Sequence, residues 1–233
     1  MSPADPRPQL TLFDLDHTLL DGDSDVLWCE FLMDRQVLAR EEFESANAAM
    51  EARYRAGQAS PQEFSRFYLA TLVGRPLAGW LALRRDFLQE RVLPRVKPAA
   101  RELLARHRAA GDLLVLTTAT NHFLTELTAQ ALGFEHLIAT DYALRPGPDG
   151  ACVSGEIAGV ANMREGKVQR LHAWLTERGQ HLAGFHSRAY SDSINDLPLL
   201  SVVDQAVAVD PDALLAAEAA RRGWAVLALR GGC

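Results

Sequence analysis

The strongest constraint on the fold is a change of pattern just after the first predicted strand. Leu10 to Phe13 is a short apolar run that ends in the acidic sequence DLDHT, which is typical of a buried parallel strand running into a functional loop. From about residue 23 to 95 the pattern is helical, and after Pro98 it alternates between helix and strand. The sequence therefore predicts an α/β unit that is interrupted near its start by an all-helical insertion.

The alternating part predicts the order of the remaining elements. They are a helix to about Ala110, a strand in DLLVLT, a helix from Asn121 to Leu132, a short strand near His136 to Ala139, a β-hairpin within Asp141 to Val160, a helix from Glu165 to Arg178, strand segments in HSRAYSD and QAVAVD, and a helix in PDALLAAEAARRG. This alternation is typical of a doubly wound, Rossmann-like and mostly parallel sheet.

We predict a catalytic α/β core from residues 1–22 and 95–233, and a helical cap domain from residues 23–94. An insertion at the carboxyl end of a strand lies over the edge at which open α/β sheets bind their ligands. The inserted helices are therefore expected to act as a lid.

Composition excludes several classes of function. A hydrophobic fraction of 48% is ordinary for a globular protein, and no segment approaches the roughly 18 uninterrupted apolar residues that a membrane span needs. The net charge of −6 argues against a nucleic-acid-binding surface, which would need a basic stripe. The opening MSPADPRPQL has no apolar core of a secretory signal, so we expect a cytoplasmic protein.

Asp14 and Asp16 are the first candidate site residues. They flank Leu15 after the first strand, where the strand alternation would place both side chains on one side and direct them toward the ligand-binding edge. Two carboxylates this close need a cation or a shared proton. Taken alone, the pair could equally be hydrogen-bond acceptors in a turn at the strand end.

Three further motifs favour a functional site over a simple turn. In order along the chain, the four motifs are DLDHT at 14–18, TAT at 118–120, EGK at 165–167 and SDSINDLPLL from 191. With this combination the sequence resembles the haloacid dehalogenase superfamily, particularly its phosphoserine-phosphatase-like branch, in which a helical cap follows the first motif. The matched motifs span nearly the whole core. One departure is Ser191, where the family commonly has glycine.

The resemblance implies Mg²⁺-dependent hydrolysis of a phosphomonoester. Asp14 would attack phosphorus and form an aspartyl-phosphate, and Asp16 would act as the general acid and then as the general base. Mg²⁺ would be held by a carboxylate oxygen of Asp14, the backbone carbonyl of Asp16 and the carboxylate of Asp192, with Asp196 holding a coordinated water. An acid at position 16 favours phosphoester hydrolysis, because P-type ATPases have threonine there and dehalogenases lack the second aspartate.

The resemblance also implies a phosphate-binding set. Thr118, the backbone N–H of Ala119 and Lys167 would bind the remaining phosphate oxygens. Thr117 is a near-equal alternative to Thr118, because the register of TTAT is not fixed by the sequence. Read in isolation, Lys167 would be a solvated surface residue and Thr118 a helix cap.

The substrate is expected to be a small phosphorylated metabolite that carries an amino group. Asp23 occupies the position at which phosphoserine phosphatases have an acidic residue that meets the substrate amine, although Asp23 and Asp25 are equally good helix caps. Asn195 is a second predicted substrate-binding residue. The arginine that binds the substrate carboxylate in phosphoserine phosphatases has no obvious counterpart, so we favour histidinol phosphate over phosphoserine. Possible replacements for that arginine are Arg53, Arg55 and Arg66.

Two other functions use related chemistry. A phosphorylatable signalling module of the receiver type shares an aspartate, a Thr or Ser, a lysine and magnesium, but it lacks a helical insertion and an acid two residues after the phosphorylated one. A phosphotransferase would share the first half-reaction and pass the phosphoryl group to an alcohol instead of water.

Overall fold

The computed structural model describes residues 7 to 230. Most of the opening segment MSPADPRPQL, on which the expectation about a secretory signal rests, lies outside this range. Within it the chain forms eight strands, which are β1 Gln9–Phe13, β2 Leu113–Asn121, β3 His136–Thr140, β4 Tyr142–Gly147, β5 Gly150–Ile157, β6 His186–Ser191, β7 Gln205–Val209 and β8 Ala225–Leu227.

The same range contains nine α-helices. They are α1 Ser24–Asp34, α2 Arg40–Arg55, α3 Pro61–Leu69, α4 Leu77–Phe87, α5 Pro98–Ala109, α6 His122–Ala131, α7 Glu165–Thr176, α8 Leu197–Val202 and α9 Ala213–Arg222. A π-helical turn at Leu88–Val92 and a 3₁₀ turn at Leu93–Arg95 follow α4. In this part of the chain, no helix is long and apolar enough to cross a membrane.

Six of the strands form one parallel sheet in the order β3-β2-β1-β6-β7-β8. The predicted doubly wound α/β fold is therefore confirmed. β1 lies between β2 and β6, with Leu12 opposite both Val115 and Ala189. The DLDHT sequence thus leaves the middle of the sheet at its carboxyl edge, which is the ligand-binding edge of such folds.

Both faces of the sheet are covered, which explains the continuous apolar character of β1 and β2. Phe13 and Leu116 point toward α5 and α6 and pack with Leu103 and Phe123, whereas Leu12 belongs to a second cluster. That second cluster joins the other face of the sheet to α7, α8 and α9.

Residues 24–95, called here the helical block, run from α1 to the 3₁₀ turn after α4. Its centre is aromatic: Trp28 meets Phe87 edge to face at 5.2 Å, and Trp80 Nε1 donates a 3.0 Å hydrogen bond to the carbonyl of Leu72. The chain returns to the core where Leu20 and Val96 form an isolated β-bridge. The division into a core and a cap domain at residues 22/23 and 94/95 stays a prediction.

The β4–β5 hairpin packs against the helical block and not against the main sheet. Val153 is fully buried in the cluster that includes the block's aromatic residues. Cys152 forms a β-bridge with Pro76, and Arg66 and Glu156 form an ion pair at 2.6 Å. The hairpin itself agrees with the sequence analysis, but its attachment to the inserted helices is not visible in the sequence.

Other differences from the sequence analysis are local. β2 continues to Asn121 instead of ending in DLLVLT, because pairing with β3 resumes at Asn121 and Thr140 after an irregularity. The short β8 was not predicted. Three residues are too few to give a clear hydrophobic period.

Candidate active site

The four motifs meet at the carboxyl edge of the sheet. Asp14 and Asp16 follow β1, Asp192 and Asp196 follow β6, and Lys167 lies in the first turn of α7. All five residues line a cavity of about 180 Å³. Side chains of the helical block close the opposite side of this cavity, so the site lies between the sheet edge and the inserted helices.

Lys167 joins two of the aspartates. Its Nζ donates hydrogen bonds to Asp14 Oδ1 at 2.7 Å and to Asp196 Oδ2 at 2.6 Å. Burial opposes its charge, but the carboxylates of Asp14 and Asp196 outweigh that effect and raise the pKa of Lys167. Ser191 Oγ donates to the same Asp196 oxygen at 2.7 Å. Ser191, which lies where the family commonly has glycine, thus helps to hold Asp196 in place.

Asp14 lies where ionisation is costly. Burial raises its pKa from 3.8 to about 7; Lys167 opposes the shift, while Asp196 and Asp192 add to it. An ionised Asp14 therefore needs more positive charge than Lys167 alone provides.

Thr18 connects Asp14 to Asp192. Its hydroxyl donates to Asp192 Oδ1 at 2.8 Å and lies 3.4 Å from Asp14 Oδ2. The carboxylates of Asp14 and Asp192 are hard oxygen donors of the kind that Mg²⁺ prefers, and the backbone carbonyl of Asp16 is the third predicted ligand. Among residues 7–230, no group of three or more His, Cys, Asp or Glu side chains is arranged to hold a metal ion. The predicted Mg²⁺ ligands do not require such a group, because they are two carboxylates and one backbone carbonyl.

Asp16 has different partners from Asp14. Its Oδ1 accepts a 2.7 Å hydrogen bond from the backbone N–H of Ser24, and its Oδ2 lies 3.0 Å from Thr120 Oγ1. Removal from water and the nearby carboxylates of Asp23 and Asp14 raise the pKa of Asp16 well above its usual range, although hydrogen bonds with Ser24 oppose the shift. The carboxyl group therefore retains its proton more readily than an exposed aspartate does.

The TTAT segment contributes to the site through its second half. Thr117 Oγ1 accepts a 3.0 Å hydrogen bond from Asn162, and Thr118 is fully buried, with its hydroxyl oxygen accepting from the backbone N–H of Thr120 at 3.2 Å. Ala119 and Thr120 line the cavity, whereas Thr117 and Thr118 do not. The role of Thr118 in phosphate binding stays a prediction.

Asp23 and Asp25 both line the cavity, but only one of them caps α1. Asp23 accepts hydrogen bonds from the backbone N–H groups of Asp25 and Val26 at 2.9 and 3.0 Å, so capping and a position in the cavity coexist. Asp25 does not cap the helix; its Oδ2 lies 3.1 Å from Thr120 Oγ1. Burial, together with the Asp23 carboxylate, raises the pKa of Asp25 to about 8.

Asn195 lies at the cavity wall near the helical block. Its Oδ1 accepts a 3.2 Å hydrogen bond from Arg164 Nε, and the Arg164 guanidinium lies 4.9 Å from the centre of the Tyr54 ring. Arg164 has φ of 52°, an uncommon backbone conformation for a residue with a side chain. It therefore connects α2 to the loop after β6.

Three arginines of the helical block were considered as partners for a substrate carboxylate, but each of them pairs with another residue. Arg53 pairs with Glu63 at 3.1 Å, Arg55 with Glu51 at 2.7 Å, and Arg66 with Glu156 at 2.6 Å. None of these arginines lines the cavity.

Eight cavity residues were not predicted as site residues from the sequence. They are His17, Asp25, Tyr54, Phe64, Ser65, Thr120, Met163 and Ser193. The sequence held a signal for Thr120, because this residue ends the TAT motif at 118–120. The three residues from α2 and α3 gave no such signal, since their position depends on how the helical block folds over the sheet.

Comparisons with known proteins agree with this geometry. Residues 11–201 match the model of the haloacid dehalogenase-like hydrolase family. The chain is 36% identical to a histidinol-phosphatase of Neisseria meningitidis over 94% of this chain and 97% of that protein, and 31% identical to the phosphoserine phosphatase SerB1 of Mycobacterium tuberculosis over 92% and 68%. A crystal structure of a protein of unknown function from Bordetella pertussis superimposes with a TM-score of 0.90 at 38% identity, covering 96% of this chain and 99% of that one. The chain therefore belongs to the haloacid dehalogenase-like hydrolase family, as one of its phosphatases.

Proposed function

We propose that the chain is a Mg²⁺-dependent phosphomonoester phosphatase that forms an aspartyl-phosphate on Asp14. Its substrate would be a small aminated metabolite such as histidinol phosphate or phosphoserine. The observation that carries the mechanism is the difference between two neighbouring aspartates: Asp14 is hydrogen-bonded to Lys167 at 2.7 Å, whereas Asp16 is bonded to the backbone of Ser24 and has a strongly raised pKa.

Asp14 is the group suited to nucleophilic attack. Lys167 favours its ionised form and would also neutralise a phosphate oxygen once the ester is bound. Asp14, the carbonyl of Asp16 and Asp192 would hold Mg²⁺, with Asp196 holding a coordinated water. Bound Mg²⁺ supplies the additional positive charge that lets an anionic carboxylate approach a phosphate ester.

Asp16 is the group suited to proton transfer. As the bond from Asp14 to phosphorus forms and the ester bond breaks, the proton of Asp16 passes to the departing alkoxide oxygen. The ionised Asp16 then takes a proton from a water molecule, whose oxygen attacks phosphorus and releases phosphate and free Asp14. The raised pKa of Asp16 supports the first step, because the carboxyl group keeps its proton to higher pH than an exposed aspartate does.

The proposed substrate class rests on two lines of support. Asp23 and Asp25 put carboxyl groups in the cavity, where a substrate ammonium would be attracted. The relatives at 36% and 31% identity carry the names histidinol-phosphatase and phosphoserine phosphatase. The receiver-like alternative loses its support, because the chain belongs to a hydrolase family.

A phosphoenzyme trap tests the mechanism. Asp16→Asn should accumulate acyl-phosphate with p-nitrophenyl phosphate, whose leaving group needs no acid, because water can no longer be activated. Asp14→Asn should show neither acyl-phosphate nor turnover. Absence of acyl-phosphate in denatured Asp16→Asn protein would contradict the two roles. Formation of a new ester after acceptor alcohols are added would instead identify a phosphotransferase.

A further inference from the structure

The part of the cavity formed by the helical block has its own chemistry. Tyr54 and Phe64 lie with their ring centres 4.6 Å apart, and Ser65 follows Phe64 on α3. All three line the cavity. An aromatic wall with a neighbouring hydroxyl is a surface suited to a flat ring that also forms a hydrogen bond.

Ser65 has a buried hydroxyl without a partner inside the protein. The residue is 8% exposed, and its Oγ forms no hydrogen bond. A serine within a helix commonly bonds to the carbonyl four residues earlier or points to solvent, and Ser65 does neither. Because an unsatisfied buried hydroxyl destabilises the fold, a substrate atom that pairs with Ser65 Oγ would remove that cost on binding.

The charges of the cavity distinguish between the two proposed substrates. Asp23 and Asp25 face the space near the aromatic wall, and no arginine is found among the described residues that line the cavity. Lys167 is already bonded to two carboxylates. A substrate ammonium would favour ionisation of these two carboxyl groups and pair with them, whereas a substrate carboxylate would have no cationic partner beside them.

Resting on the proposed function, we infer that the cavity selects phosphate esters of amino alcohols that carry a nitrogen heterocycle and lack a carboxylate, with Ser65 as a specificity-determining residue. The ring would lie against Tyr54 and Phe64, with a ring nitrogen bonded to Ser65 Oγ. The amino group would lie by Asp23 and Asp25. Histidinol phosphate has all three features, whereas phosphoserine has a carboxylate and no ring.

Arg164 is the nearby cation that could bind a substrate carboxylate and so favour phosphoserine. It lies behind two cavity residues, with its guanidinium on the Tyr54 ring and its Nε bonded to Asn195. To bind a substrate carboxylate it would have to leave both partners. The experiments below therefore include an Arg164 variant.

The first experiment compares three substrates in Mg²⁺. Phosphoserine and phosphoethanolamine differ only in the carboxylate, and histidinol phosphate adds the ring. We expect kcat/KM for phosphoethanolamine to exceed that for phosphoserine roughly tenfold or more, and histidinol phosphate to exceed both. A preference for phosphoserine that is lost in Arg164→Ala would overturn the inference. Failure to hydrolyse even p-nitrophenyl phosphate would instead contradict the proposed function.

The second experiment isolates the hydroxyl. In Ser65→Ala, the ratio of kcat/KM for histidinol phosphate to that for phosphoethanolamine should fall roughly tenfold, because only the ring substrate reaches Ser65. The melting temperature should not fall, since no intramolecular hydrogen bond is lost. Ser201→Ala, at an exposed position on α8, is the matched control and should leave the ratio unchanged. An unchanged ratio in Ser65→Ala, or a lower melting temperature with equal losses on both substrates, would overturn the role of Ser65.

Discussion

Thr120 Oγ1 lies 3.0 Å from Asp16 Oδ2. The same hydroxyl is 3.1 Å from Asp25 Oδ2, and a threonine has one proton to donate. When Thr120 donates to one carboxyl group, the other can bond to it only if that group is itself protonated. The raised pKa values of Asp16 and Asp25 agree with such an arrangement. Thr120 thus joins the proposed general acid to a carboxyl group on α1.

Loss of this hydroxyl should affect proton transfer more than phosphoryl transfer. In Thr120→Val, Asp16 keeps its interactions with Ser24 but loses the hydroxyl on its other oxygen, so its orientation toward the leaving group is less fixed. We expect kcat for an alkyl phosphate to fall roughly tenfold and kcat for p-nitrophenyl phosphate to fall less. Thr176→Val, at an exposed position on α7, is the control. Equal losses on both esters in Thr120→Val would show that the hydroxyl does not act through Asp16.

Asp192 should determine how much Mg²⁺ the enzyme needs for activity. EDTA should abolish hydrolysis of p-nitrophenyl phosphate, and added Mg²⁺ should restore it, because the site offers hard oxygen donors. Asp192→Asn replaces a charged ligand with a neutral one and should raise the Mg²⁺ concentration for half-maximal activity roughly tenfold or more. The exposed Asp149→Asn should behave as wild type. Full activity after thorough metal removal would contradict the proposed site.

Gly166 tests how tightly the start of α7 is packed. A Cβ at this position would lie 2.0 Å from the carbonyl oxygen of Ala161, so Gly166→Ala must shift the helix that carries Lys167. We expect a loss of about 2 kcal/mol in unfolding free energy, or ~5 °C in melting temperature, together with lower kcat. Gly184→Ala is the matched control, because its Cβ would meet no atom within 4 Å. Equal melting temperatures for the two variants would exclude the close contact.

Asp25 should make stability depend on pH. Its pKa is raised from 3.8 to about 8, so between these values the folded protein keeps a proton that the unfolded chain has lost. Stability therefore decreases as pH rises through this window. Asp25→Asn lacks this ionisation, and its unfolding free energy relative to wild type should improve by about 1–3 kcal/mol between pH 5 and pH 8.5.

Urea unfolding in EDTA at several pH values measures this difference. Asp14 also titrates near neutrality in the folded state, with a pKa raised to about 7. The contribution of Asp14 to the pH dependence is the same in wild type and Asp25→Asn. It therefore cancels in the comparison if Asp14 and Asp25 titrate independently. Parallel stability curves for Asp25→Asn and wild type would contradict the raised pKa of Asp25.

The sequence predicts the sheet edge better than the substrate pocket. Asp14, Lys167 and Asp192 each lie next to a predicted strand end or helix start, and parallel strands bring such positions to one edge. Tyr54 and Ser65 lie on α2 and α3, and their meeting with the sheet depends on packing between helices. The role of Asp25 was also hard to predict, because either Asp23 or Asp25 could cap α1. The helix begins directly after Asp23, so Asp23 is the cap and Asp25 faces Thr120.

The attachment of the β4–β5 hairpin to the helical block has a consequence for how new specificities arise in this architecture. Val153 is fully buried against the block, and Cys152 pairs with Pro76, although residues 96–141 separate the block from the hairpin in sequence. A chimaera that exchanges only the inserted helices between relatives would leave an apolar strand face without its cover. The unit of recombination is therefore discontinuous, and a transplanted lid should fold properly only when its hairpin is transplanted with it.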